Sequence, residues 1–311
     1  MIRTALFLIA TIALVPIIAL STGIDLSGIY LDSFKDLVTL MVIVAISCFI
    51  ISQLSGNYSQ VDKIWSIIPV VYIWIIAFKG GFNDRLLIMA VVSTIWGARL
   101  TYNFARRGGY NMVPWKGEED YRWALLRKMP YLNNRVGWFF FNLIFISLYQ
   151  NTLILLITMP VLVAWQGAGT PIGWLDIAAT LLIIMFIIFE TVADQQQYNY
   201  HKSKSKWSGT AGDKPEEFVR GFNYRGLWRF MRHPNYTAEQ AIWLTFYLYG
   251  VAATGRWINW SLSGAILLVL LFFGSSTFSE GVSAGKYPLY QDYIKRVPRF
   301  IPSLSRKKRY S

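Results

Sequence analysis

One polar, basic stretch stands out in an otherwise apolar chain: Gly226-Leu-Trp-Arg-Phe-Met-Arg-His-Pro-Asn-Tyr-Thr-Ala-Glu239, which opens directly into an apolar run. Between Arg220 and Arg232 there are four arginines in thirteen residues, and Gly221 and Gly226 allow close backbone approach. Guanidinium forks ahead of a helix N-terminus suit phosphate oxygens, so the chemistry to expect is binding of an anionic cofactor such as a dinucleotide. No Gly-x-Gly-x-x-Gly occurs, so a Rossmann domain is not the carrier. Tyr287, Tyr290 and Tyr293, spaced three apart beside Lys286 and Lys295, could cover a base or ribose, or equally line an interfacial helix.

Other ionisable residues enter apolar runs, where charge is costly and usually has an inward-facing reason. Arg99, Tyr102, Asn103 and Arg106 share one helix face. Glu190, Asp194 and Gln197 form a second stripe, and Asn235 and Glu239, with Trp243 continuing their face, a third. Asp62, Trp65, Ser66 and Pro69 open one run and Glu280 closes another. These polar entries are expected on one side of a membrane, lining a shared cavity. Snorkelling arginines and packing pairs would explain single residues as well.

The elements that must position these groups follow from composition. The chain has 311 residues, is 54% hydrophobic and has 13 Trp; its mean hydropathy is +0.38. That is a multi-pass membrane protein, an all-α bundle of about eight spans near residues 3–21, 36–54, 64–78, 85–104, 137–164, 174–193, 236–252 and 258–278. The net charge of +13 does not indicate nucleic acid, because Lys and Arg concentrate between spans four and five, between spans six and seven, and in the tail. By the positive-inside rule those segments and both termini are cytosolic, and the basic residues mostly serve topology and contact with membrane lipids. Cys48 stands alone inside a span and there are only two histidines, which argues against a disulfide and against a metal site. His201–Asp213 reads as a flexible polar loop. No Gly-x-x-x-Gly pair marks a helix-dimer face.

The run Gly226 to Glu239, the upstream Glu190-x-x-x-Asp194-x-Gln196 and the closing Tyr290-x-x-Tyr293 to Phe300-Ile-Pro302 resemble the steroid 5α-reductase C-terminal-domain family. Val61-Asp-Lys-Ile-Trp65 and Trp96-Gly-Ala-Arg-Leu-Thr-Tyr-Asn103 resemble its bacterial membrane-protein branch. Likeness runs from about Asp62 to Pro302, which implies an N-terminal hairpin at 1–60, a reductase-like domain at 61–302 and a basic tail at 303–311. The resemblance implies NADPH-dependent reduction of a carbon-carbon double bond conjugated to a carbonyl, in a lipid-like substrate, within a bacterial inner membrane rather than the endoplasmic reticulum. Carried over by position, Asn235 would hold the nicotinamide carboxamide, with Tyr236 and Glu239 shaping that pocket. Asp194, Arg225, Arg232 and Tyr293 would contact ribose and phosphate, and Glu190 and His233 belong to the same cofactor-binding set.

The chain departs from that family in lacking the early Gln-Glu-Leu-Pro element that binds a steroid ketone; Gln53-Leu-Ser and Asp62 occupy that region. Ala238 stands where glycine is usual. Asp62 and Tyr102 are the substitute proton donors, with Arg99 as an electrostatic partner. The alternative is an S-adenosylmethionine-dependent methyltransferase of the isoprenylcysteine or phospholipid type, which Arg232-His-Pro-Asn-Tyr236 and the late Glu280 also resemble.

Overall fold

A computed structural model describes residues 2–20, 26–113, 115–209 and 215–302 of the chain. The basic tail, and residues 210–214 of the expected polar loop, lie outside them. Among the described residues there is no strand. The helices are α1 Ile2–Leu20, α2 Gly28–Ser55, α3 Gln60–Ile64, α4 Ile68–Lys79, α5 Asp84–Ala105, α6 Tyr121–Leu126, α7 Arg135–Phe141, α8 Gln150–Thr158, α9 Pro160–Gln166, α10 Trp174–Lys206, α11 Glu216–Arg220, α12 Pro234–Thr254, α13 Leu262–Lys286 and α14 Tyr290–Arg296. A π-helical segment, Asn142–Tyr149, joins α7 to α8, and a 3₁₀ turn, Gly226–Arg229, precedes α12.

Among the described residues, four helical stretches are long and apolar enough to cross a membrane: Gly28–Ser55, Arg135–Gln166, Trp174–Lys206 and Leu262–Lys286. The chain is thus an integral membrane protein. On α2, Ile43, Ile46, Ile50 and Leu54 are exposed, a band at helical spacing that suits acyl chains and would be a liability in water. The expected runs at 85–104 and 236–252 fold as α5 and α12, which carry Arg85 and Arg99, and Asn235, Glu239 and Gln240, within them.

Local chemistry sets most boundaries. Gly56, at φ 69°, takes the left-handed position that ends α2, and its N–H reaches Ser52 O at 3.0 Å. The side chains of Asn83, Asp120 and Asn134 cap α5, α6 and α7. The run expected at 64–78 begins later: Pro69 stands in the first turn of α4, where its missing N–H costs nothing, and Asp62 sits apart on α3. The expected polar loop from His201 is also corrected, because α10 continues to Lys206. At 33 residues it is about 50 Å long, more than a hydrocarbon core requires. Its extension is held from outside, where Lys204 Nζ donates to Gly221 O at 2.8 Å and lies 5.1 Å from the Tyr287 ring centre.

The chain divides into two compact units, Met1–Leu181 with Trp243–Leu268, and Leu182–Ile242 with Val269–Ser311. In the first, α4 packs on α5, and α2 on the π-helical segment and α8. Buried Arg85 holds Asp176 through Nε–Oδ1 at 2.7 Å and Nη2–Oδ2 at 3.0 Å, and also donates to the carbonyls of Thr170 and Pro171. That network ties the start of α5 to the loop entering α10. In the second, Phe222, Tyr224, Tyr290, Tyr293 and Val297 form an apolar core.

Candidate functional site

In the second unit the basic stretch is pinned on both sides. Gln196 Oε1 accepts from Leu227 N at 2.9 Å, and Trp228 Nε1 donates to Ala193 O at 3.2 Å, so the 3₁₀ turn is fastened to α10. Gly226 is required there: its φ is +61°, and a Cβ would lie 2.4 Å from Gln196 Oε1. From the other side the C-terminal segment runs alongside, with Arg232 N donating to Pro298 O at 2.9 Å, His233 N to Arg299 O at 3.1 Å and Thr237 Oγ1 to Phe300 O at 2.9 Å.

Glu280 is the hub of this arrangement. Its Oε1 accepts from Arg232 Nε at 2.7 Å and pairs with His233 Nε2 at 2.9 Å, while Oε2 accepts from Arg232 Nη2 at 3.2 Å and Arg299 Nη2 at 3.1 Å. Burial lowers the His233 pKa, outweighing the attraction of Glu280, and Arg232 and Arg299 push the same way. The imidazole is therefore neutral at pH 7 and donates Nε2–H to Glu280, while its ring stacks on Tyr236 at 5.1 Å.

Beside the hub, the first turn of α12 presents Asn235, whose Nδ2 donates to Asp194 Oδ1 on α10 at 3.2 Å. Asp194 is 3% exposed, and Glu190, one turn earlier, and Glu239, one turn beyond Asn235, are also buried. The Asn235 Oδ1 atom is itself buried and accepts no hydrogen bond. Asp194 thus fixes the amide by its nitrogen and leaves the oxygen as an unmatched buried acceptor. The arrangement can receive an N–H donor such as a primary carboxamide.

Two of the residues assigned to ribose and phosphate make hydrogen bonds within the protein. Arg232 directs Nε and Nη2 to Glu280 and Nη1 to the carbonyls of Ile294 and Val297. Tyr293 is buried and donates its hydroxyl to Trp228 O. These bonds anchor both side chains, since a buried guanidinium or phenol takes the acceptors the fold supplies. Tyr290 lies in the same aromatic core. The exposed cations of the turn are Arg225, ion-paired with Glu217 at 2.8 Å, and Arg229.

The expected catalytic trio, Asp62, Arg99 and Tyr102, belongs to the first unit. Tyr102 is 68% exposed, with Arg106 over its ring at 5.7 Å. The helix face turned inward carries Asn103, which accepts from Arg106 Nε at 2.9 Å. Arg99 is half-buried. Trp243, expected to continue the Asn235 face, packs edge-on against Trp96 at 4.9 Å. Asp62 lies in a polar cluster where Ser59 Oγ accepts from Asp120 N at 2.9 Å and Trp123 Nε1 at 3.1 Å, and Arg122 grips Asp120 through Nε at 2.9 Å and Nη2 at 2.7 Å. Burial and then the Asp120 charge push the Asp62 pKa up, against smaller opposing effects of Arg122, Ser59 and Trp123. Among the described residues no group of His, Cys, Asp and Glu is arranged to hold a metal.

Sequence reasoning missed Gln196 as an anchor and Arg299 as a hub ligand. Gln196 stands within the Glu190-x-x-x-Asp194-x-Gln196 pattern, whereas Arg299 is indistinguishable in sequence from a topology charge.

Residues 48–297 match the family described as Protein of unknown function (DUF1295). A Schizosaccharomyces pombe (strain 972) protein, Uncharacterized protein C594.04c, is 39% identical over 269 residues, covering 82% of this chain and 75% of the relative. No solved structure matches the chain.

Proposed function

The chain belongs to the family of proteins of unknown function DUF1295, and from that membership and the geometry of its second unit we propose that it is a membrane-embedded, NADPH-dependent reductase of a carbon-carbon double bond conjugated to a carbonyl in a lipid-like substrate. The observation that carries this reading is Asn235, part-buried, oriented by Asp194 and presenting a buried Oδ1 acceptor without a partner. That acceptor fits a nicotinamide carboxamide N–H, and leaving it unmatched costs about 1–3 kcal/mol. The resemblance to the steroid 5α-reductases supports the same role for it.

NADPH, when bound, supplies the hydride. The chain's own residues bind and orient. Asn235 Oδ1 receives the carboxamide, and Asp194 fixes which way the amide faces. Glu280, through Arg232 and His233, locks the backbone that enters α12. Arg225 and Arg229, exposed on the turn, suit the phosphates, since an exposed ion pair such as Arg225–Glu217 exchanges at little cost. Reduction of an enone also needs a proton; in the first unit, Asp62 is a carboxyl whose protonated form is favoured by burial. The charge asymmetry supports eight spans with both termini cytosolic, and the resemblance favours a bacterial inner membrane over the endoplasmic reticulum.

Methyl transfer gains no support from the hub, because both Glu280 oxygens are held by Arg232, His233 and Arg299. The deciding experiment is thermal melting of the purified protein with each ligand. NADPH at a hundred times its Kd should stabilise by about 2.7 kcal/mol, with no shift from S-adenosylmethionine. A shift with S-adenosylmethionine alone would replace the reductase reading by methyl transfer.

A further inference from the structure

The span Arg135–Gln166 is interrupted by the π-helical segment Asn142–Tyr149, and the interruption changes which residues share a face. In an unbroken α-helix Asn142 and Ser147, five apart, would point some 140° away from each other. The wider π turn brings residues five apart into line, and Ser147 Oγ donates to Asn142 Oδ1 at 3.5 Å. The helix then returns to α spacing, and Asn151 Nδ2 donates to Ser147 O at 2.7 Å. Asn142, Ser147 and Asn151 consequently form one polar stripe inside a membrane span, each at most 1% exposed.

Two atoms of that stripe are buried without a hydrogen-bond partner: the donor Asn142 Nδ2 and the acceptor Asn151 Oδ1. The bond from Asn151 Nδ2 to Ser147 fixes the flip that leaves its oxygen facing outward from its own helix. A neighbour of both the π-helical segment and α8 is α2, which packs on each of them. Its buried side carries the small residues Ala45, Cys48 and Ser52. Cys48 feels the Asn151 amide directly, and nearby Thr152 Oγ1 donates to Met41 Sδ at 3.8 Å. Small side chains on α2 and two unmatched amide groups on the interrupted span leave the place for a recess that is polar on one wall. In hydrocarbon such groups are retained only with something to satisfy them, and π turns recur where a helix has been bent to a function.

We propose that this recess binds the hydroxyl group of a membrane-soluble alcohol, which accepts from Asn142 Nδ2 and donates to Asn151 Oδ1. A hydroxyl is the smallest uncharged group that satisfies both atoms at once, and the exposed apolar band on the lipid side of α2 puts the chain in contact with the phase such alcohols occupy. The inference stands independently of the NADPH reading, because all six residues that build the recess lie in the first unit.

The test uses the full-length protein in lipid nanodiscs and a long-chain alcohol with a diazirine on its alkyl tail. Photolabelling mapped by mass spectrometry should mark the 142–152 segment and α2, and unlabelled alcohol should compete. The matched methyl ether accepts but cannot donate, and should label about tenfold less. Asn142→Leu and Asn151→Leu should each abolish the specific labelling while leaving the melting temperature unchanged or higher, since an unmatched buried amide is removed. Should either variant fail to fold, Cys48→Leu fills the recess from α2 while keeping both asparagines and must block labelling. Equal labelling by alcohol and ether, labelling that survives Cys48→Leu, or no specific labelling at all, as water alone in the recess would give, overturns the proposal.

Discussion

Arg232 and Glu280 meet through two hydrogen bonds, Nε to Oε1 at 2.7 Å and Nη2 to Oε2 at 3.2 Å, with both side chains at most 7% exposed. Glu280 also engages His233 and Arg299, so three cationic or polar partners converge on one carboxylate. Removing that carboxylate leaves the Arg232 charge buried and uncompensated. Glu280→Ala should therefore destabilise the protein by about 3–5 kcal/mol. The double variant Arg232→Met, Glu280→Leu should recover most of the loss. Denaturant melts of both in one detergent decide the point, and equal losses would show that the ion pair itself is unimportant.

Asn235→Ala removes the oriented acceptor and should eliminate the thermal shift given by NADPH while changing the ligand-free melting temperature by a few degrees at most. Asn235 makes one side-chain hydrogen bond, to Asp194, whose loss is worth about 1 kcal/mol. An NADPH shift of wild-type size in this variant would remove Asn235 from the cofactor site.

Gly226→Ala should destabilise the turn by at least about 1 kcal/mol. The substitution meets both a φ of +61° and the Gln196 amide, 2.4 Å from the added carbon. The companion change Gln196→Ala relieves the clash and leaves the backbone strain. Partial rescue in the double variant, read by melting, is the expected outcome, and no effect of Gly226→Ala alone would contradict the anchoring of the turn by Gln196.

Asp62 carries the pH dependence with the clearest sign. Its folded-state pKa is raised, chiefly by burial and then by Asp120. Between the ordinary carboxylate pKa and the raised one, the folded state holds a proton that the unfolded state has lost. Stability from this group is therefore present at low pH and lost as pH rises through that window. Asp62→Asn should melt higher than wild type at neutral pH, with the two curves converging below about pH 4. Parallel curves across the whole range would show that Asp62 titrates normally.

In the first unit, Arg85→Met should cost about 3–5 kcal/mol, because Asp176 would remain buried at 1% exposure without its guanidinium. Asp176→Asn is expected to lose less, since Arg85 keeps the carbonyls of Thr170 and Pro171. Reversal of that order, measured by chemical denaturation, would place the main constraint elsewhere.

Several elements were legible in the chain as a string. Hydropathy is a property of consecutive residues, so the apolar runs coincide with helices, and Gly56, Pro69 and Pro160 mark their ends by backbone chemistry that needs no distant partner. The same applies to the stripe Glu190 and Asp194 and to the stripe Asn235 and Glu239, because helical spacing alone puts each pair on one face of its own helix. Which partner each polar group takes was not legible. Arg225, Arg229 and Arg232 look alike in the basic stretch, yet only Arg232 is swallowed by Glu280, from a helix 48 residues away. Tyr102 shares a face with Arg99 on paper, but packing around α5 left it exposed. The π turn at Asn142 likewise has no hydropathy signature. Sequence order determines the elements because helix formation and burial preference are local; tertiary structure decides the pairings because a hydrogen bond depends on distance and direction between segments, which only packing supplies.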